Sequence, residues 1–202
     1  MTAGAVAVIG AVLIALGVLV GVVALLALHL LPTGLSPVRH AVSQYGITRY
    51  RAGYRVQTIG YALAGVGAAV GIAALPGKGG LPVALCAIFA ACRAVIGWFP
   101  MDAPGTPSTS IGRWHGLLAI GAFVGIGLAA AALSRMLGRG GLDPGATTVS
   151  AVLSAVMLVA VVAMSADRRR GAAHFGLIER IFYLAMTVWL VAVALLLASP
   201  GR

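Results

Sequence analysis

Residues 3–31 read AGAVAVIGAVLIALGVLVGVVALLALHLL, an apolar run whose sole titratable side chain is His29. A bilayer core about 30 Å thick takes roughly 20 apolar residues in helical form. Working outward, five more runs of this kind follow: Val56–Leu75, Leu81–Phe99, Trp114–Leu137, Thr147–Ala166 and Phe175–Ala198. Each meets or nearly meets the spanning length. Three charges intrude, Arg93, Glu179 and Arg180, with Arg135 at the edge of the fourth run. The pattern predicts an all-α polytopic membrane protein, a six-transmembrane-helix bundle forming a single integral membrane domain over residues 1–202.

Composition excludes most alternatives. The chain is 61% hydrophobic and 9% charged, against about 25% charged residues in soluble domains. Its formal charge of +10 would suggest nucleic acid in a soluble protein. Here the arginines gather between spans, where anionic headgroups account for them, and no nucleic-acid motif is present. The expected partners are membrane lipids, with anionic headgroups among them. The sequence specifies no cofactor and sets no oligomeric state. Met1–Gly4 carries no basic residue and Leu31-Pro32-Thr33 is no small-residue cleavage site, so the first run is expected to stay as a mature helix. Cys86 and Cys92 lie six positions apart on one helix, face different ways and read as packing residues.

Orientation follows from the basic residues. The side reached after the first run holds Arg39, Arg49, Arg51, Arg55, Arg113, Arg168, Arg169 and Arg170, with Arg180 just inside the membrane. The other side holds Lys78, Arg135, Arg139 and Arg202. Nine against four places loops 33–55, 100–113 and 167–174 in the cytoplasm and both termini outside. The first of these loops interleaves Val38, Val42, Tyr45, Ile47 and Tyr50 with Arg39, His40, Arg49 and Arg51. That mixture suits a segment lying at headgroup level. Gly17/Gly21, Gly67/Gly71 and Gly121/Gly125 have the small-xxx-small spacing that brings helices close.

The unusual polar residues share one end. Ser43 and Tyr45 lie in the first cytoplasmic loop, Gln57 opens the second run, and Asp102 follows the third. His115 opens the fourth run, while Glu179 and Arg180 sit one turn into the sixth. Arg93 precedes Pro100 by seven residues, or about 10 Å of helix. An arginine at mid-membrane costs about 2.5–3.5 kcal/mol, so it must either snorkel to headgroups or find a partner. Glu179 is the obvious partner. Together with Arg113, Arg180, Ser43 and Tyr45, these two are the candidate ligand-binding residues. Asp102 and His115 are the candidate catalytic pair, as acid and base or as metal ligands with His40. The spacing of those three matches no compact metal motif, and no metal is expected. Asp102 or His115 would serve equally well as a helix cap or headgroup contact.

A Pro32-Thr33-Gly34-Leu35-Ser36-Pro37 loop, an intramembrane Arg93 before Gly97-Trp98-Phe99-Pro100-Met101-Asp102, His115 opening the fourth run, and Gly176-Leu177-Ile178-Glu179-Arg180 followed by Trp189 form a recognisable set. Taken together they resemble a bacterial six-helix integral membrane family known as domain of unknown function nine-nine-eight. The likeness spans essentially the whole chain. It implies the architecture and no established activity. In that family Gln often stands where Glu179 stands here.

Three functions fit these residues. A binding or accessory protein for a lipid headgroup or another anion would use the arginines, whose planar forks suit phosphate. A membrane-embedded, hydrolase-like enzyme on lipid-linked substrates would use Asp102 and His115. A small transporter would need a polar path across the bilayer. The first, second and fifth runs offer almost nothing polar at mid-depth, and no repeat relates the two halves, so transport ranks last.

Overall fold

The computed structural model describes residues 2–77, 79–171 and 173–199. Met1, the turn residue Lys78 and Arg202, which entered the reading of the start and of the loop charges, lie outside the described residues. The chain runs α1 (Ala3–Leu30), a short 3₁₀ turn (Val42–Ile47), α2 (Arg51–Ala73), α3 (Gly80–Ile96), α4 (Ser110–Gly140), α5 (Pro144–Arg170) and α6 (Phe175–Ala198). No strand occurs among the described residues.

Five helices, α1, α2, α4, α5 and α6, are long and apolar enough to cross a membrane. The sixth, α3, is apolar but has 17 residues, about 25 Å at the helical rise. It stops three residues earlier than the apolar run. Pro100 disfavours helical backbone at Phe99, and the chain leaves through tight turns, Trp98 N–H to Val95 O and Phe99 N–H to Ile96 O. By contrast α4 and α5 outrun their apolar stretches at both ends. Thr109 caps α4, its hydroxyl accepting from Gly112 N–H at 3.0 Å. At α5, Asp143 accepts from Ala146 N–H at 2.8 Å, and the helix continues through Arg168, Arg169 and Arg170 to a left-handed Gly171. Asp167 therefore lies in a helix, not in a loop.

Consecutive helices pack side by side, and α6 closes the ring against α1 while also touching α2 and α4. The α1–α2 seam is made of glycine. A Cβ on Gly10 would lie 2.6 Å from Gly71 Cα, and one on Gly60 would lie 2.5 Å from Gly21 N. Both fall inside van der Waals contact, so the backbones meet at a distance that a larger residue would forbid. Gly121 and Gly125 turn toward α3 less tightly: a Cβ on Gly121 would lie 2.8 Å from the Cys92 sulfur, and one on Gly125 would make ordinary contact with Leu85 O at 3.6 Å. Serine hydroxyls stitch α4 to α5: Ser154 donates to Gly127 O and Ser134 to Thr147 O, each at 2.8 Å. The outer faces are apolar, with Leu16, Leu19 and Val23 of α1 and Val159 and Val162 of α5 exposed. In water this would be untenable; against lipid it is the expected surface.

The first long loop does not lie flat at the bundle end. Val42 and Tyr45 are 0% and 1% exposed, so the 3₁₀ turn plugs the end of the bundle. Pro37–His40 sits directly on α6, where a Cβ on Gly176 would collide with His40 O at 2.5 Å, and Leu177 N–H donates to Val38 O. Of the interleaved residues Val42 and Tyr45 bury inward, which removes their apolar surface from the polar headgroup region, while Val38 and Ile47 stay exposed.

Candidate functional site: a polar cavity at one end

Arg93 faces into the bundle from the last turn of α3, and its residue is 1% exposed. Its Nη1 donates to the Tyr183 hydroxyl at 3.0 Å and its Nη2 to Gln57 Oε1 at 2.8 Å. The guanidinium carbon lies 5.5 Å from the Tyr183 ring centre and 5.7 Å from that of Tyr61, within reach of a cation–π attraction. Its Nε–H has no hydrogen-bond partner among the described residues. Arg93 does not snorkel. It is a buried cation held by neutral groups at both terminal nitrogens and left unpartnered at Nε.

The partners come from regular spacing. On α2, Tyr54, Gln57, Thr58 and Tyr61 are all buried, a stripe at i, i+3, i+4 and i+7 on one helix face. On α6, Glu179 and Tyr183 are one turn apart and both buried. Glu179 is not the partner of Arg93. Its Oε2 accepts the backbone N–H of Val42 at 2.6 Å, and no ion pair within 4 Å joins the two charges. The sequence reading paired them by charge; a main-chain donor in the loop plug takes the carboxylate instead.

Arg93, Glu179 and Tyr183 line a cavity of about 810 Å³ into which the connections α1–α2, α3–α4 and α5–α6 all contribute residues. Three of the four acidic residues of the chain line it: Asp102, Asp167 and Glu179. Asp167 went unnoticed in the sequence because it opens the charge run Asp167-Arg168-Arg169-Arg170. Its side chain is 7% exposed, and its Oδ2 has no hydrogen-bond partner. The lower wall is apolar, with Phe123 of α4 and Val161 and Met164 of α5.

Asp102 and His115 both line the cavity but do not bond to each other. Asp102 accepts from Thr109 Oγ1 at 2.7 Å and from Thr109 N–H at 3.0 Å, tying the α3–α4 connection to the α4 cap. The Thr109 hydroxyl and amide hold its carboxyl below the ordinary value, with Arg113 and His115 adding to the effect. His115 Nδ1 lies 2.7 Å from Phe99 O. A carbonyl only accepts, so Nδ1 carries the proton and the neutral ring keeps its lone pair on Nε2. His40 is not in the cavity lining; its Nδ1 accepts from Ser36 N–H at 2.7 Å. No group of three or more His, Cys, Asp or Glu able to hold a metal ion occurs among the described residues.

The remaining candidates divide. Ser43 lines the cavity, its hydroxyl against Met101 Sδ at 3.1 Å, and Arg113 lines its exposed rim. Tyr45 is buried outside the lining, edge-on to His29 with ring centres 5.8 Å apart. Arg180 also lies outside it. Its Nε donates to His29 Nε2 at 2.7 Å, and its Nη1 donates to His40 O at 3.0 Å and Gly176 O at 2.9 Å. Arg180 thereby joins α1, the first loop and α6.

Apolar helices with lipid-compatible outer faces and polar groups gathered inside one end define a helical multi-pass membrane protein. The chain belongs to the family of proteins of unknown function DUF998, whose model matches residues 15–196. No curated protein and no solved structure matches it.

Proposed function

We propose that this protein binds an anionic group, from a lipid headgroup or a similar ligand, in the cavity that Arg93 lines. The observation that carries the reading is the bonding of that guanidinium. It is a buried positive charge held by a phenol, an amide oxygen and aromatic faces, with Nε–H unpartnered and no carboxylate within 4 Å. A buried cation with no counter-charge in contact is costly, and an anion arriving in the cavity offsets that cost. Arg39 and Arg113 line the same cavity and extend the positive field toward its mouth.

In this reading α3 is the sixth span, made short by Pro100, and the cavity end faces the cytoplasm, following the loop arginines. A cysteine at Ser108 then reacts with an impermeant maleimide only after cells are opened; labelling of intact cells reverses the orientation. The enzymatic reading has less behind it, because both Asp102 oxygens are committed to Thr109.

The test is native mass spectrometry of detergent-purified protein. Wild type retains a phospholipid, held through its phosphate, and Arg93→Gln loses it while keeping its helical circular dichroism. Wild type without bound lipid, or a variant with the same lipid profile, ends the proposal.

A further inference from the structure

Asp167 is out of place by every stability rule that applies to it. It lies in the last turn of α5, where the helix dipole disfavours negative charge. It is buried in a chain of formal charge +10, yet its carboxylate makes no ion pair within 4 Å with any arginine among the described residues. The His174 ring is 3.8 Å from Oδ1, too far for a hydrogen bond. Oδ2 is buried with no partner, and the residue lines the cavity that Arg93 lines. The site therefore presents one guanidinium N–H, Arg93 Nε, and one carboxylate oxygen, Asp167 Oδ2, that are each buried without a hydrogen-bond partner among the described residues.

We infer that the ligand is a zwitterion, with a phosphate on the Arg93 side and an ammonium group on Asp167. This rests on the anion reading above and adds its second pole. The guanidinium fork matches phosphate geometry, and an N⁺–H donor satisfies what Oδ2 lacks. The source favoured by the walls is an aminophospholipid. Below the polar groups, Phe123 of α4 and Val161 and Met164 of α5 form an apolar face, and Ile120 beside them is 61% exposed. The serine stitches between α4 and α5 lie at Gly127–Ser154 and Ser134–Thr147, further along both helices than this stretch. In this proposal an acyl chain lies against that face, with Ile120 marking where it meets the bilayer.

The experiment compares headgroups on one protein. Detergent-purified wild type is titrated with phosphatidylethanolamine, phosphatidylglycerol and N-acetylated phosphatidylethanolamine, and bound lipid is counted by native mass spectrometry. Ethanolamine lipid binds about tenfold more tightly than the other two, the value of one charge-assisted hydrogen bond. Asp167→Asn removes that preference and keeps the overall binding, while Asp167→Glu keeps the preference. Arg93→Gln weakens all three lipids alike, so failure of the anion reading shows separately from failure of the ammonium site. Soluble phosphoethanolamine binding as tightly as the lipid supports the same two poles and assigns the ligand to the aqueous side. Equal binding of the amine and its acetylated form by wild type, a comparison that needs no variant, overturns the inference. An unchanged preference in a folded Asp167→Asn protein does so as well.

Discussion

The Glu179 carboxylate accepts the backbone N–H of Val42 at 2.6 Å, a contact between residues 137 positions apart. It pins the loop plug to α6 at the level where Arg93 enters the bundle. What Val42 requires is an acceptor oxygen, which a glutamine supplies as well as a glutamate. Glu179→Gln is therefore expected to keep the plug in place. Glu179→Ala leaves a buried N–H bare and costs about 1–3 kcal/mol, read as a lower melting midpoint in micelles. If glutamine is as damaging as alanine, the charge itself is what matters and the pairing with Arg93 must be reconsidered.

The helices were legible because an apolar run of spanning length has few other uses. Their ends were less so. Arg51, Ser110 and Arg168–Arg170 are polar yet helical, since a helix can project past the lipid and be capped there by Thr109 or Gly171. Arg93 stood out by the expense of burying it. Of its partners, Gln57 stood out among the polar residues at that end, while Tyr183, an uncharged aromatic in an apolar run, did not. The stripe Tyr54, Gln57, Tyr61 on α2 and the pair Glu179, Tyr183 on α6 carry helical spacing and were open to reading. Asp167 was hidden by its three arginine neighbours. The burial of Val42 and Tyr45 follows from an irregular loop, whose inward residues no period marks.

The glycine seam makes a sharp contrast available. Gly60→Ala places a methyl against Gly21 backbone, with its carbon 2.5 Å from nitrogen, and must separate α1 from α2. Overpacking of this kind costs about 1–3 kcal/mol. Gly116→Ala, where a Cβ meets nothing within 4 Å, is expected to be neutral or slightly stabilising, since alanine favours helix by about 1 kcal/mol. Melting midpoints of the two variants measured side by side check the pair. Equal values would place the α1–α2 seam elsewhere.

Asp102 sets a pH dependence at the start of α4. Thr109 donates to it twice, so its folded pKa lies below the ordinary value of 3.8. The sign follows. A depressed carboxyl contributes fully above its unfolded pKa and loses that contribution as pH falls through the lower, folded value. Amide protection at Thr109 and Gly112 is expected to hold from neutral pH down to about 4 and to weaken below it, after correction for intrinsic exchange. In Asp102→Ala that protection is already reduced at neutral pH and shows no acid step. An acid step that survives the substitution would assign it to another group.

Arg180 carries three hydrogen bonds to three parts of the chain: His29 on α1, His40 in the first loop and Gly176 on its own helix. A guanidinium reaches them together because its Nε–H and Nη1–H groups diverge in one plane; an ammonium on a flexible stem is a single point of charge. Arg180→Lys is expected to keep the charge and still lose about 1–2 kcal/mol of stability. His29→Ala removes one of the same bonds, so the two substitutions should combine to less than their sum. A coupling of about 1 kcal/mol in a double-mutant cycle measured by melting in micelles is the expected result. Strict additivity would mean that the His29 contact does not hold α1. If Arg180→Lys kept wild-type stability but lost its bound phospholipid, Arg180 would belong to the ligand site and not to the frame around it.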